Sequence, residues 1–187
     1  MTVKEVLCEA AKLVGESDVY NYLSDKIPDD TAYCEEGAEL IKHCYDVIID
    51  ELACEYLPLK DKCAFAATDG KVMYSSFVKK PVRINSVYDE NGKKLPYKAF
   101  IDHLSVTADK VVIEYDFKPG VQNITDEAFY ADGIIGEHVL AYGVATEYCT
   151  ERGRITDAEI WASKYNAALK ARLAEKRRLK IKAGRWC

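Results

Sequence analysis

A change in amino-acid composition and spacing in the middle of the chain constrains the fold most strongly. Residues 61–118 contain short runs rich in Val, Ile, Tyr and Phe, a composition typical of β-strands, whereas the sequence on either side has helical spacing. The predicted strands span residues 63–67, 71–77, 82–88, 97–101 and 110–117. We therefore expect an α+β fold, in which a mainly helical body of four to five helices carries a small antiparallel β-module inserted in its middle.

Two dipeptides predict tight turns inside this region. Asp69-Gly70 and Asn91-Gly92 separate predicted strands, and both residues of such pairs tolerate the positive φ of hairpin turns.

We expect residues 1–60 and 119–175 to form the helical body, 61–118 the β-module, and 176–187 a basic C-terminal docking arm.

Spacing of apolar residues predicts three helical segments before the β-module. The first spans residues 3–14 and stops at Gly15, and the second is a short turn capped by Ser17 or Asp18. Pro28 breaks the chain, and a long helix follows from residue 31 to about 56. Its predicted apolar stripe consists of Tyr33, Leu40, Ile41, Cys44, Val47, Ile48 and Leu52.

Helical signals resume after residue 119. Thr125 is expected to cap a helix with an acidic first turn, and residues 134–149 are expected to form the most buried helix. Small residues in the buried helix would let neighbouring helices approach closely; they are Gly136, Ala141 and Gly143. Residues 156–159 match a capping box, which predicts the start of the last helix. The apolar stripe of this helix ends at Leu173, so we expect the helix to continue beyond its own body.

Composition argues against several classes of protein. No run approaches the roughly 18 consecutive apolar residues of a membrane helix, and the charged N-terminal segment predicts no signal peptide. The seven cysteines are an odd number and form no C-x-x-C pair, which favours free, buried thiols and synthesis in a reducing compartment over a zinc or disulfide framework.

We find no catalytic motif in the sequence. His43, His103 and His138 are widely separated, and the sequence has no nucleophile elbow and no glycine-rich phosphate loop. Three pairs of neighbouring acids lie where helices are expected to start, where capping and the helix dipole account for them; they are Asp29-Asp30, Glu35-Glu36 and Asp126-Glu127. The sequence therefore predicts that the protein is not an enzyme and has no cofactor or metal.

Charge is distributed very unevenly along the chain. Residues 164–187 hold nine Lys or Arg and one acid, a net charge of +8, whereas the preceding residues hold seventeen bases and thirty acids, a net charge of −13. Three interpretations fit the basic end: nucleic-acid binding with stacking by Trp186, protein docking anchored by Arg185 and Trp186, or a solvated helix end. The terminal Trp shifts weight away from the solvated end.

Three stretches of the sequence carry a resemblance to a known family. They are residues 50–59 (DELACEYLPL), residues 81–92 (PVRINSVYDENG) with 111–119 (VVIEYDFKP), and residues 143–186, in which a buried helix, an E-R-G-R turn and a basic run end in Arg-Trp. In this order and spacing, the chain resembles the head-to-tail adaptor (connector) family of tailed bacteriophages, the type with a β-insert between helices. The resemblance extends from about Val3 to Trp186.

The resemblance implies a structural virion protein at the head-tail junction, made in the bacterial host cytoplasm. It implies a ring of copies, commonly twelve, that binds the portal protein on one side and the next tail or stopper protein on the other. DNA would pass through the channel without sequence-specific contact, and no membrane would be involved. If the docking positions of the family are transferred to this sequence, the portal-binding residues would be Arg177, Arg178, Lys180, Ile181, Lys182, Arg185 and Trp186. The alternative is a nucleic-acid-binding protein that uses its basic C-terminal helix.

Overall fold

The computed structural model describes residues 1–26, 30–130, 133 and 135–178. This part of the chain contains five α-helices and two small antiparallel sheets, with about 49% helix and 23% strand. The predicted α+β class, with a mainly helical body and a β-region in the middle of the chain, is confirmed. Residues Ile49–Gly120 form one compact unit, and the flanking parts of the chain form another. No helix among the described residues has the length and apolarity required to cross a membrane.

The helical unit begins with a well-capped helix. The hydroxyl of Thr2 accepts a hydrogen bond from the Glu5 amide, and the Glu5 carboxylate accepts one from the Thr2 amide. Gly15 takes a positive φ of 79° directly after this helix, as its predicted stop requires. The five helices are α1 (Val3–Leu13), α2 (Ser17–Leu23), α3 (Thr31–Glu51), α4 (Glu137–Glu151) and α5 (Ile155–Arg178). The predicted cap of α2 is wrong, because Glu16 occupies the capping position without a side-chain hydrogen bond.

Most of the predicted apolar stripe of α3 is buried, namely Ile41, Cys44, Ile48 and Leu52. Tyr33 and Val47, both predicted to be in the stripe, are exposed, and the Tyr33 hydroxyl donates to the Glu16 carboxylate at 3.0 Å. The buried residues of α3 and the turn that follows it are Cys34, Gly37, Ile41, Cys44, Tyr45, Ile48, Ile49, Leu52 and Ala53. The predicted helical extent to about residue 56 is confirmed, although the α-helix ends at Glu51 and the chain continues as a π-helical turn over Leu52–Tyr56 before Pro58.

Helix α4 is the predicted central helix of its unit. Its buried residues lie on more than one face, and they are Val139, Leu140, Ala141, Gly143, Val144, Ala145, Tyr148 and Cys149. The predicted close approach is confirmed at Gly143, which faces Ile48 of α3 and Tyr165 of α5. Gly136 has another role, because it precedes α4 with a φ of 81° and has open space around it. The predicted end of α4 is confirmed by Arg152 and Gly153, whose φ is 69°.

The predicted helix start at Thr125 is wrong. Residues 121–130 are irregular, and the Asp126 carboxylate accepts a hydrogen bond from the Asn123 amide within a turn. This segment instead runs beside the N-terminus, where the Val3 amide donates to the Asp126 carbonyl at 2.9 Å. The Tyr45 hydroxyl and the Phe129 amide both donate to Oε1 of Gln122, which is buried. Tertiary hydrogen bonds therefore hold this segment without a helix.

The predicted capping box at Thr156 is also wrong. Helix α5 begins one residue earlier, at Ile155, and the Ala158 amide donates to the carbonyl of Arg154. Thr156 thus lies inside the first helical turn. Arg154 takes part in the start of the helix through its guanidinium, which donates to the Asp157 carboxylate at 2.8 and 2.9 Å.

The β-unit contains two antiparallel sheets rather than the single sheet predicted from the sequence. The strands are β1 (Leu59–Ala66), β2 (Lys71–Met73), β3 (Pro81–Tyr88), β4 (Lys94–Leu95), β5 (Tyr97–Ala99), β6 (His103–Val106) and β7 (Lys110–Phe117). The first sheet has the order β1-β7-β3-β4, and the second has the order β2-β6-β5. The sequence prediction missed β4 and β6.

The two predicted turns have different roles. Asp69 and Gly70 both take a positive φ, as predicted, and the turn carries the chain from β1 in one sheet to β2 in the other. The Asn91-Gly92 turn joins the paired strands β3 and β4, and only Gly92 has a positive φ there.

Side chains from both sheets contribute to one apolar core. Phe77 lies between Phe65 of β1, at a ring distance of 4.3 Å, and Tyr115 of β7, at 4.8 Å. The buried members of this core are Val72, Phe77, Val87, Leu104, Val106, Val111, Ile113, Tyr115 and Phe117. Burial of these residues between the two sheets stabilises both, because apolar surface removed from water contributes about 25 cal/mol per Å².

Candidate interaction surfaces

Burial decreases along helix α5. Ala158, Tyr165 and Leu169 are buried, Leu173 is half-buried, and Ala174 is exposed. The helix continues to Arg178, which places its described end about 7.5 Å beyond Leu173 at 1.5 Å per residue. Ala174 is exposed, as the predicted end of the apolar stripe at Leu173 requires.

The structure describes only the first two of the seven predicted portal-binding residues. Arg177 and Arg178 occupy the last turn of α5. The other members of the predicted set lie outside the described residues; they are Lys180, Ile181, Lys182, Arg185 and Trp186.

Two groups of side chains fix the base of α5. Trp161 stacks on Tyr142 of α4 at a ring distance of 5.7 Å, and the Lys164 ammonium lies 4.2 Å from the Trp161 ring. The Arg154 guanidinium also donates to the Val14 carbonyl at 2.9 Å, and its hydrogen bonds to Asp157 raise its pKa further above the ordinary value. These contacts attach the first turns of α5 to α4 and to the residue that ends α1.

A groove of about 550 Å³ opens on the β-unit. Residues 80–84 of β3 and its preceding loop line one part of the groove, and the rest is lined by Tyr74, Tyr97, Ala99 and Ile101. Lys80 and Arg83 supply positive charge, and the lining contains no acid. The lining of the groove thus combines apolar side chains with two positively charged ones.

Large apolar side chains around the groove are open to solvent. Ile101 is fully exposed, Val78 is 95% exposed, and Val82 and Phe100 are each about half exposed. The backbone beside the groove also has an open edge, because among the described strands β3 pairs with β4 only at Val87 and Tyr88. Contiguous exposed apolar surface of this kind marks interaction sites more often than single exposed residues do.

The three histidines have separate local environments. His43 and His138 are exposed, whereas the His103 ring stacks on Phe100 and its Nδ1 lies 2.7 Å from the Asp102 carboxylate. The hydrogen bond to His103 holds the Asp102 pKa below its ordinary value. The part of the chain that the structure describes contains no group of three or more side chains arranged to hold a metal ion.

The predicted acidic pairs take part in local contacts. Asp30 accepts a hydrogen bond from the Tyr33 amide at 3.0 Å, as a helix cap does, while Asp29 lies outside the described residues. Glu36 lies 3.4 Å from the Arg152 guanidinium. Asp126 stabilises a turn and not the helix start that the sequence suggested.

The six cysteines within the described residues have free thiols. Cys34, Cys44 and Cys149 are buried, and Cys54 is exposed. Burial raises the pKa of the Cys44 thiol to about 12, so at neutral pH this group is an uncharged core side chain and a poor nucleophile.

Sequence reasoning missed the groove entirely. Its main signal is the apolar and basic run from Lys79 to Ile84, of which only residues 82–84 belong to the predicted strand 82–88. No protein-family model and no curated protein matches this chain.

Proposed function

We propose that this chain is a structural head-to-tail adaptor of a tailed bacteriophage, which forms a ring beneath the portal and continues the DNA channel. Its partners in this proposal are the portal protein, further copies of itself, and the next tail or stopper protein. The observation that carries the proposal is the decrease of burial along α5, from Leu169 to the exposed Ala174, in a helix that continues to Arg178. A helix that is firmly held at its base and continues into a basic segment suits insertion into a partner.

The charges support the same proposal. The segment from residue 164 onward has a net charge of +8, whereas the rest of the chain has −13. A positive end on a negative protein favours docking on an acidic protein surface and disfavours aligning the rest of the body along DNA. The inserted β-unit agrees with the adaptor subgroup that carries a β-insert.

Nucleic-acid binding remains the second candidate because nine basic residues within 24 positions suit phosphate contacts. The two functions predict different partners for the same segment. A phosphate binder loses affinity steeply as salt increases, whereas a docked helix with a buried Trp retains apolar contacts at high salt.

Portal binding by a truncated chain distinguishes these functions. Deletion of residues 176–187 is expected to abolish co-purification with the portal protein while circular dichroism shows that the helical and β-content remains. The triple variant Lys176→Gln, Arg177→Gln and Arg178→Gln is expected to weaken portal binding without shortening the chain.

The matched control removes the same number of charges from exposed positions of the β-unit: Lys60→Gln, Lys93→Gln and Lys94→Gln. It is expected to bind the portal as the unmodified chain does. Unchanged portal binding by the truncated chain would overturn the docking role of the arm. Loss of tight, salt-sensitive DNA binding on truncation, together with no portal binding by the full chain, would establish the second candidate instead.

A further inference from the structure

We propose that the groove of the β-unit is the site where a second copy of this chain binds, through an acidic part of its surface. This inference rests on the proposed function, because it assigns the contact between neighbouring subunits of the ring. It is carried by the shape, charge and exposed apolar surface of the groove.

The groove is built to receive a partner with negative charge. Lys80 and Arg83 line it, and neither forms an ion pair with any residue that the structure describes. Lys79, the neighbouring base, is by contrast already engaged with the Asp61 carboxylate at 3.0 Å. Two cations beside an apolar floor thus remain available for carboxylates of a bound partner.

The chain itself carries the complementary charge. Residues before 164 have a net charge of −13, so another copy carries an excess of acids outside its C-terminal segment. Two acids of α3 are exposed to solvent, and they are Glu35 and Glu39. Charge complementarity between two different surfaces of one chain favours self-association over binding to a basic partner.

A contact of this kind can build a ring. The groove and the acidic surface are different parts of the chain, so each copy can offer one surface to one neighbour and the other surface to the next, which is a heterologous contact. A heterologous contact closes into a ring when the rotation between copies permits it.

The apolar part of the groove supplies the remaining affinity. Ile101 and Val82 are exposed beside the stretch of β3 that lacks a second strand partner among the described residues. A neighbouring segment can contact these apolar side chains and the backbone edge, except at the Ile84 carbonyl, which accepts a hydrogen bond from the Tyr97 hydroxyl. Burial of apolar surface contributes about 25 cal/mol per Å² removed from water.

Photo-crosslinking tests the site directly. Benzoylphenylalanine placed at Ile101, in a mixture of unlabelled and nitrogen-15-labelled full chain with the portal protein, is expected to give a crosslinked dimer. Mass spectrometry should find peptides that join labelled to unlabelled copies, with the second peptide rich in acids. Crosslinks only to the portal, only within one copy, or to nothing would overturn the proposal.

Charge reversal gives an independent test. Lys80→Glu with Arg83→Glu is expected to weaken self-association in the assembly by about tenfold or more, a loss that removal of close charge pairs can produce. The control is Lys93→Glu with Lys94→Glu, which reverses the same charge at exposed positions outside the groove lining. Equal self-association of the two variants would contradict the proposal.

The two proposals fail in different ways. If the adaptor function is wrong, the portal protein is absent from the purified assembly while the crosslinked dimer of this chain still forms. If the groove assignment is wrong, the portal is present and the crosslink between copies is missing.

Discussion

Gly143 lies so close to Ile48 that a Cβ added to the glycine would stand 3.0 Å from the Ile48 Cγ2 atom. The same Cβ would be 3.1 Å from Cε2 of Tyr165, so α3 and α5 both pack against α4 at one point. The absence of a side chain at this position sets the distance between three helices.

Replacing Gly143 by leucine tests this packing. Gly143→Leu is expected to lower the free energy of unfolding by about 1–3 kcal/mol, because the added atoms crowd Ile48 and Tyr165. Urea denaturation measures the change. The control Ala167→Leu places the same side chain at an exposed position of α5 and should change stability by less than about 0.5 kcal/mol. A Gly143→Leu variant as stable as the unmodified protein would show that the three helices are not closely packed.

The buried hydrogen bond between Tyr45 and Gln122 is expected to stabilise the irregular segment 121–130. Tyr45→Phe removes the hydroxyl that donates to Gln122 Oε1 at 2.6 Å and should cost about 1 kcal/mol. Tyr33→Phe removes a hydroxyl that bonds Glu16 at the surface, and it should cost less than about 0.5 kcal/mol. Equal costs in thermal or urea unfolding would argue against the buried bond.

The positions of the helices could be predicted from the sequence where burial is local. The density of apolar residues in α4 corresponds to its burial on more than one face. Thr125 and Asp126 also match the sequence pattern of a helix cap. The Asp126 carbonyl, however, accepts a hydrogen bond from the Val3 amide, which is remote in the sequence. Long-range contacts of this kind decide between a cap and a turn, and periodicity does not report them.

The division into two sheets could not be predicted for a similar reason. Strand β6 has only two buried apolar residues, Leu104 and Val106, which is too short an alternation to recognise. Its partner is β2, where Val72 pairs with Leu104 across more than thirty residues. The groove depends on the same arrangement of strands. Its lining combines residues of β3 with residues at the end of β5, which are separated along the chain.

Thiol reactivity should follow burial. At pH 8 a thiol with a pKa of about 12 is ionised in only about one molecule in ten thousand, so Cys44 should resist iodoacetamide in the folded protein. Cys54, which is exposed, should be alkylated readily. Mass spectrometry of peptides after timed alkylation measures both rates. Rapid modification of Cys44 without added denaturant would contradict its burial.

The ion pair between Asp61 and Lys79 should make the β-unit less stable in acid. The Lys79 ammonium, 3.0 Å away, holds the Asp61 pKa below its ordinary value of about 3.9, so the folded state favours the carboxylate. The stabilisation is therefore present above about pH 4 and is lost as the pH falls through the lowered pKa.

Asp61→Asn checks the sign of this effect. The variant is expected to unfold at lower urea than the unmodified protein at pH 7, and the difference should shrink at pH 2.5. Glu55→Gln, which removes a charge from an exposed residue, serves as the control. A difference that grows as the pH falls would show that Asp61 does not stabilise the fold as a carboxylate.

Electron cryo-microscopy of this chain bound to the portal protein tests the central claim most directly. If the chain is an adaptor, we expect a ring of copies beneath the portal, with the end of α5 and the residues beyond Arg178 inserted into the portal. Density that places α5 away from the portal, or particles in which the chain binds DNA and never joins a portal ring, would contradict it.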